Sequence, residues 1–256
     1  MNKIGVETMT QVVAHRGASG VRPENTLPAF SEAIRQGANI IELDVHLSKD
    51  QQLIVMHDED VDRTTEGKGL IREHTLAELK RLNAGSWFSD QYSSTKIPTL
   101  QEVVNLLLIR NFRGALCIEV KTDKYEYPGI EERLAKFMQS QEWTFSYWYC
   151  SFNINSLDRL YELDPGAQLD LILGTSEAKV QQAIDRGYIE GIHPKLEWAE
   201  KNAGKLATFP LAVRPWTVNT MVGVRSCLNL GVTGIITNFP EMCFDGINAF
   251  RQEKSK

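Results

Sequence analysis

Residues 40–57 read IIELDVHLSKDQQLIVMH, and this stretch decides the fold. Two apolar segments, residues 40–45 and 53–57, flank a polar turn at residues 49–52. The linker between them is too short for a parallel crossover, which needs a dozen or more residues, so the two segments must form an antiparallel hairpin. We predict a register in which residue 45 faces 56 and His57 lies opposite Asp44, on the same face of the hairpin.

Outside this hairpin, short β-branched or aromatic segments alternate with longer segments of helical periodicity, which is typical of a parallel α/β architecture. The predicted strands are residues 12–16, 40–45, 53–57, 115–120, 147–152, 168–173, 191–194, 211–216 and 234–238. The predicted helices are residues 26–36, 100–110, 130–141, 155–163, 176–186, 197–203 and 220–230. Without the return arm of the hairpin, eight strands remain, which is the number in a (β/α)8 TIM barrel. We therefore predict a single domain over residues 1–256, with a small insertion after the second strand at about residues 46–96.

The composition excludes several classes of protein. Of the 256 residues, 42% are hydrophobic and 24% charged, which excludes a disordered or fibrous chain. The formal net charge of -5 gives no overall attraction to nucleic acid or anionic membranes, so we expect neither as a partner. Four cysteines without metal-ligand spacing are predicted to be reduced and mostly buried: Cys117, Cys150, Cys227 and Cys243.

The N-terminal residues 1–11 contain one lysine and no apolar block, which predicts that there is no signal peptide. No stretch approaches the roughly 18 apolar residues of a membrane span. We therefore expect a cytoplasmic protein without a stable membrane anchor. The sequence leaves the oligomeric state open, with a homodimer as one option.

Charged residues gather at the predicted carboxyl ends of neighbouring strands, where barrel enzymes hold their working groups. Two pairs, Glu42 with Asp44 and Glu119 with Lys121, have i, i+2 spacing, so both members of a pair point to one side of the strand. Charges inside apolar strands are costly to desolvate unless they are paired or bound to an ion. We predict that these side chains form one cluster at the barrel rim together with His15, Arg16 and His57.

This set of side chains suits phosphoryl chemistry. Three carboxylates with no cysteine nearby make a hard oxygen site for Mg²⁺ or Ca²⁺. Arg16 and Lys121 supply positive charge for an anion, and His15 and His57 can act as base and acid on either side of a reacting centre. We interpret the remaining histidines as structural: His46, His74 and His193.

A set of motifs also runs in order along the chain. It comprises His15-Arg16-Gly17, Pro23-Glu24-Asn25-Thr26, Glu42-Leu43-Asp44-Val45, His57-Asp58, Arg63-Thr64-Thr65, Ile97-Pro98-Thr99-Leu100, Glu119-Val120-Lys121, Trp216-Thr217-Val218-Asn219 and Thr237-Asn238-Phe239-Pro240. Together these motifs resemble those of the glycerophosphodiester phosphodiesterase family, over essentially the whole chain.

The resemblance implies a distorted TIM barrel with a small insertion after the second strand. It implies one divalent cation, usually Mg²⁺ or Ca²⁺, at Glu42, Asp44 and Glu119. It further implies that His15 and His57 are the acid/base pair, that Arg16 and Lys121 contact phosphate, and that Asn25 and Trp216 line the pocket. The last strand of the family commonly ends in Asp where this chain has Asn238, which leaves the role of that position open.

The leading hypothesis is metal-dependent hydrolysis of glycerophosphodiesters to sn-glycerol 3-phosphate and an alcohol, an activity of glycerol and lipid metabolism. We favour His15 as base and His57 as acid, and the attacking group is either water or the glycerol 2-hydroxyl, which would give a cyclic phosphate. The alcohol preference depends on loops around Phe152, Leu173, Lys195 and Trp216.

Two alternatives remain. A lysophospholipase D-like enzyme would need an apolar groove, for which Trp87, Phe88 and Tyr92 in the insertion are candidates. A non-catalytic phosphodiester-binding protein would lack a ligand or a histidine, and all of these residues are present.

Overall fold

The computed structural model describes residues 10–255; residues 1–9, on which most of the signal-peptide prediction falls, and residue 256 lie outside the description. The strands are β1 (Gln11–Ala14), β2 (Ile40–Leu47), β3 (Leu53–Val55), β4 (Ala115–Val120), β5 (Ser146–Ser151), β6 (Gln168–Ile172), β7 (Gly191–His193), β8 (Ala212–Val213) and β9 (Gly234–Thr237). The α-helices are α1 (Leu27–Arg35), α2 (Leu76–Leu79), α3 (Leu100–Ile109), α4 (Ile130–Met138), α5 (Ile154–Leu163), α6 (Glu177–Arg186), α7 (Leu196–Lys201), α8 (Ala203–Leu206), α9 (Met221–Leu230) and α10 (Pro240–Lys254). Short 3₁₀ turns occupy Ile71–Glu73 and Asp90–Tyr92.

Eight of the strands form a parallel sheet in the order β8-β7-β6-β5-β4-β2-β1-β9. Its two ends meet, because the Thr233 amide donates to the Val213 carbonyl at 2.9 Å and the Ile236 amide donates to the Pro215 carbonyl at 3.0 Å. Strand β3 pairs with β2 in the antiparallel sense and lies outside this ring. The arrangement confirms the predicted (β/α)8 barrel and its additional hairpin arm.

The predicted register of the hairpin is wrong by one residue. Val45 pairs with Val55. Asp44 is therefore opposite Met56, whose amide donates to the Asp44 carbonyl at 3.2 Å. The prediction that His57 lies directly opposite Asp44 is wrong.

The turn explains this shift. The Ser48 amide donates to the Gln52 carbonyl at 3.0 Å, so three residues, not four, form the loop. Gln51 has a φ of 64°, the left-handed conformation that completes a three-residue hairpin loop. Left-handed glutamine is uncommon, so the sequence did not indicate this turn.

Capping interactions define the helices around the barrel. The Thr99 hydroxyl accepts from the Glu102 amide at 3.2 Å, and the Glu102 carboxylate accepts from the Thr99 amide at 2.7 Å, a capping box that begins α3. Gly231 ends α9 with a φ of 67°. Helices α2, α8 and α10 were not predicted, and α10 covers the C-terminal segment after β9.

The apolar core has two parts. The larger lies between the barrel and its helices, and a smaller one fills the barrel interior with Val13, Ile40, Cys117, Trp148 and Ile236 among its members. A filled interior leaves the ends of the barrel as the place for a site. Across residues 10–255, no helix combines the length and apolar character needed to cross a bilayer.

Candidate active site

Glu42 and Asp44 of β2 lie together with Glu119 of β4. The register of these strands pairs Asp44 with Glu119. One carboxylate oxygen from each of the three side chains lies within 4.8 Å of the others, and all three residues are buried. The i, i+2 spacing of Glu42 and Asp44 thus aims both carboxylates at the same point, as the sequence predicted.

Burial and mutual repulsion set the charge of these carboxyl groups. Burial and the nearby Asp44 raise the pKa of Glu42 well above its usual value. Burial also raises the pKa of Glu119 to about 7, with Asp44 adding to the effect. For Asp44, burial is outweighed by the positive charges of Arg16 and Lys121, which hold its pKa below the usual value.

The acidic cluster fits a bound divalent cation. Asp44 Oδ1 is buried and has no hydrogen-bond partner within residues 10–255, although an unsatisfied carboxylate oxygen is costly to bury. Carboxylate oxygens are the ligands that Mg²⁺ and Ca²⁺ prefer. A cation among the three oxygens would satisfy Asp44 Oδ1 and offset the burial and repulsion that raise the two glutamate pKa values.

Arg16 and Asn25 hold the acidic cluster in place. Both residues have left-handed backbones, with φ of 57° and 54°, and the Asn25 amide donates to the Arg16 carbonyl at 3.0 Å. The Arg16 amide donates to Glu42 Oε2 at 2.8 Å, while its guanidinium Nε lies 3.5 Å from Asp44 Oδ2. Asn25 Nδ2 donates to Asp44 Oδ2 at 2.7 Å. Asn25 therefore contacts the acidic cluster through Asp44, and neither of these two residues is among those that line the cavity.

His15 is held by a neutral partner. Its Nδ1 lies 2.7 Å from Asn238 Oδ1, which leaves Nε2 as the free ring nitrogen. Burial, assisted by the positive charge of Arg16, lowers the pKa of His15 to about 4. The imidazole is therefore neutral near pH 7 and can accept a proton. The position at which this chain departs from the family pattern thus contacts one of the two candidate catalytic histidines.

His57 is held by a charged partner. It follows β3, its side chain is 29% exposed, and its Nδ1 lies 2.6 Å from Asp58 Oδ1. Asp58 Oδ2 in turn accepts from Arg63 Nε at 2.7 Å. Arg63 also donates to Glu24, which accepts from Arg16 as well. This chain of contacts fastens the start of the insertion to the rim of the barrel.

A cavity of about 300 Å³ brings the two histidines and the charged groups together. One side is lined by His15, Arg16, Glu42, His57, Glu119 and Lys121. Lys121 Nζ donates to Glu119 Oε1 at 2.9 Å and lies 3.9 Å from Asp44 Oδ1. The other side is lined by Cys150, Phe152, Ile172, His193 and Trp216. The Trp216 indole N–H donates to the His193 carbonyl at 2.8 Å, which fixes the ring at the wall.

The other histidines make structural contacts. His46 is buried between the Tyr127 hydroxyl, 3.0 Å from its Nδ1, and the His57 carbonyl, 3.2 Å from its Nε2, so it supports the backbone of a candidate catalytic residue. His74 Nε2 lies 2.9 Å from the Lys68 carbonyl. The four cysteines are buried and free, as predicted.

Sequence reasoning missed a buried ionic group inside the barrel. Asp170 Oδ2 lies 2.9 Å from His193 Nε2 and 2.8 Å from the Arg214 guanidinium. The signal was present, since Asp170 is a charged residue in an apolar strand, as Glu42 is.

The aromatic residues proposed for an acyl groove do not line the cavity. Trp87, Phe88 and Tyr92 instead meet edge to face, with ring centroids 5.7 and 5.9 Å apart. Nothing in this cluster favours the lysophospholipase alternative.

Comparisons with known proteins agree with this geometry. The model of the Glycerophosphoryl diester phosphodiesterase family matches residues 15–242. The chain is 38% identical over 240 residues to a glycerophosphodiester phosphodiesterase of Caldanaerobacter subterraneus subsp. tengcongensis, covering 91% of this chain and 95% of that protein. It is 36% identical over 236 residues to a Bacillus altitudinis enzyme of the same name, covering 91% and 96%. Among solved structures it resembles an Oleispira antarctica phosphodiesterase in complex with the product sn-glycerol-3-phosphate, with a TM-score of 0.83, 29% identity and coverage of 94% and 97%.

Proposed function

The chain belongs to the glycerophosphoryl diester phosphodiesterase family, and we propose that it hydrolyses glycerophosphodiesters to sn-glycerol 3-phosphate and an alcohol. The observation that carries this proposal is the convergence of an acidic cluster, a guanidinium and two histidines on one cavity. A phosphodiester needs these groups because its anionic oxygens must be neutralised while one oxygen loses a proton and another gains one.

The proposed cofactor is one divalent cation, Mg²⁺ or Ca²⁺, held by Glu42, Asp44 and Glu119. The unpartnered Asp44 Oδ1 supports this assignment. When bound, such a cation supplies positive charge that stabilises phosphate oxygens and lowers the pKa of a coordinated hydroxyl group.

Arg16 and Lys121 are the proposed phosphate ligands. Arg16 lines the cavity, so its guanidinium brings donors and positive charge to a bound anion, while its buried Nε lies 3.5 Å from Asp44 Oδ2. The Arg16 backbone is fixed through Glu42 and its guanidinium through Glu24, so the donor is oriented before substrate binds. Lys121 is buried beside Glu119 and brings a second positive charge to the same wall.

The two histidines divide the proton transfers. His15, whose pKa burial lowers, is neutral and accepts a proton at Nε2 from the attacking water or glycerol 2-hydroxyl. His57, more exposed and paired through Nδ1 with Asp58, donates its other proton to the oxygen of the departing alcohol. The difference between a neutral and a charged partner is the physical basis for this assignment.

The test is turnover of glycerophosphoglycerol by purified protein, followed by ³¹P NMR. His57→Ala should lower kcat by roughly 10²–10⁴-fold with little change in KM, because general acid catalysis acts in the transition state. His74→Ala, in a histidine outside the cavity, is the matched control and should match the wild type. EDTA should abolish turnover, and added Mg²⁺ or Ca²⁺ should restore it. Full activity of His57→Ala would remove His57 from the mechanism, and a transient cyclic phosphate resonance would identify the 2-hydroxyl as the attacking group.

A further inference from the structure

Lys195, just after β7, lies next to the cavity wall without being one of the residues that line the cavity. Lys195 forms an isolated parallel bridge with Trp216, which lines the cavity. His193, two residues before Lys195, lines it as well. Alternate residues of an extended segment share one face, and so do directly paired residues of neighbouring strands. Lys195 therefore projects on the inner side of the barrel, one layer above His193.

A second lysine, Lys179, contacts the same pair of aromatic rings as Lys195. Lys195 Nζ lies 3.6 Å from the centroid of the Trp216 ring, and that ring meets the Phe152 ring edge to face at 5.6 Å. Lys179 Nζ donates to the Phe152 carbonyl at 3.0 Å and lies 5.7 Å from the same ring. Lys121, on the opposite flank, is 5.9 Å from the Phe152 ring.

The positive charges of Lys179 and Lys195 are not neutralised. In the stretch from residue 10 to residue 255, no carboxylate lies within ion-pair distance of either Nζ. The acidic residues of the cavity lining are Glu42, Glu119 and Asp123, which belong to β2, to β4 or to the segment just after β4. The side of the cavity lined by Phe152 and Trp216 therefore contributes no carboxylate to the lining, and the rings of these two residues carry Lys179 and Lys195.

We propose that Lys195, together with Lys179, forms a subsite for a negative charge on the alcohol half of the diester. The preferred substrates are glycerophosphodiesters whose alcohol carries a second phosphate group. This inference rests on the proposed function, since it names the class of substrate for that reaction. Lysine suits phosphate as a compact point charge with three donors.

The same geometry disfavours a choline headgroup. Quaternary ammonium groups bind over open aromatic faces. Here the Trp216 ring carries the Lys195 ammonium and the Phe152 ring lies near two others, so a cationic headgroup would meet like charge. The aromatic residues of this wall hold the lysines and do not form a cage for choline.

The experiment compares kcat/KM for three diesters that differ in the charge of the alcohol: diglycerophosphoglycerol (anionic), glycerophosphoglycerol (neutral) and glycerophosphocholine (cationic). The wild type should prefer them in that order. Lys195→Gln should lower the anionic-to-neutral ratio about tenfold, the usual scale for one partly desolvated charged contact. Lys195→Arg, which keeps the positive charge, should retain most of the wild-type anionic-to-neutral ratio. Lys201→Gln, on the exposed part of α7, is the control and should keep the wild-type ratio.

A binding measurement separates this proposal from the proposed function. Calorimetry in the slow His57→Ala background should show that diglycerophosphoglycerol binds more tightly than glycerophosphoglycerol, and that adding Lys195→Gln removes the difference. If all three diesters are cleaved and Lys195→Gln leaves the anionic-to-neutral ratio of kcat/KM unchanged, the proposed subsite is wrong, and the phosphodiesterase activity is not in question. If none of the diesters is cleaved, the proposed function fails, and the binding series alone decides whether the subsite exists.

Discussion

Asn238→Asp tests whether a neutral partner keeps His15 ready to accept a proton. Asn238 Oδ1 lies 2.7 Å from His15 Nδ1, so the substitution changes the charge at this contact with almost no change in volume. Asn238 is otherwise held through its backbone, with its amide donating to Asn219 Oδ1 at 2.8 Å. The variant should therefore keep the position of the side chain and alter only its electrostatics.

The size of the effect follows from the contact. In the wild type, burial and the charge of Arg16 lower the pKa of His15 to about 4. A carboxylate in direct contact favours the protonated imidazole and typically raises such a pKa by about 1–3 units, or about 1.4–4 kcal/mol. The pKa of His15 in the variant should lie at about 5–7. Because a base must be deprotonated to act, the acidic limb of the pH profile should move to higher pH by the same amount.

The assay is the pH dependence of kcat/KM, which reports the pKa values of the free enzyme, supported by NMR titration of the His15 ring. We expect the variant to lose activity below about pH 6 and to keep it near pH 8. Asn238→Leu controls for loss of the hydrogen bond and should lower activity without moving the acidic limb upward. An acidic limb that stays in place in Asn238→Asp would refute the argument, and a shift of the alkaline limb instead would exchange the roles of the two histidines.

Three further predictions concern the surroundings of the site. Arg63→Gln should lower kcat roughly tenfold with little effect on KM, because Asp58 loses the guanidinium that orients it toward the imidazole of His57. The control Lys68→Gln, at an exposed residue, should have no effect, and equal losses of kcat in both variants would contradict this role of Arg63. Cation binding should release protons and weaken as the pH falls below about 7, because burial raises the pKa of Glu119 to about 7 and a protonated carboxyl group cannot bind a metal. Calorimetry in two buffers of different ionisation enthalpy measures the proton release, and a cation affinity that does not change with pH would contradict this prediction. Arg214→Met should destabilise the protein by about 3–5 kcal/mol in urea unfolding, because it removes one partner of a buried ion pair, and a loss below 1 kcal/mol would be inconsistent with that pair.

The barrel could be predicted from the sequence because its decisive feature is local. The short linker between residues 45 and 53 excludes a parallel crossover whatever the rest of the chain does, and the remaining eight strands follow from the alternating pattern. The hairpin register could not be predicted in the same way. It depends on the left-handed conformation of Gln51, a property of one residue in a turn that many sequences could build differently.

The contacts that hold the site in place could not be predicted from the sequence either. Arg63 reaches Glu24 across 39 positions of sequence, and Asn238 reaches His15 across 223. Such pairs are set by where loops end over the barrel, which no local pattern encodes. The resemblance named these positions as parts of motifs, but it gave no indication that one of them would join the insertion to the rim.

The charged residues of the inner strands show what a sequence signal of this kind can and cannot identify. Glu42, Asp44 and Asp170 all stand in apolar strands, and the same reasoning applies to each: a buried charge needs a partner. For Asp170 the protein supplies that partner, since Oδ1 accepts from Gln168 and Oδ2 from His193 and Arg214. For Asp44 it does so at one oxygen only: Oδ2 accepts from Asn25, whereas Oδ1 is buried without any hydrogen bond within residues 10–255. The pattern therefore locates buried charge, and only the contacts distinguish a carboxylate that the fold satisfies from one that is left for a ligand.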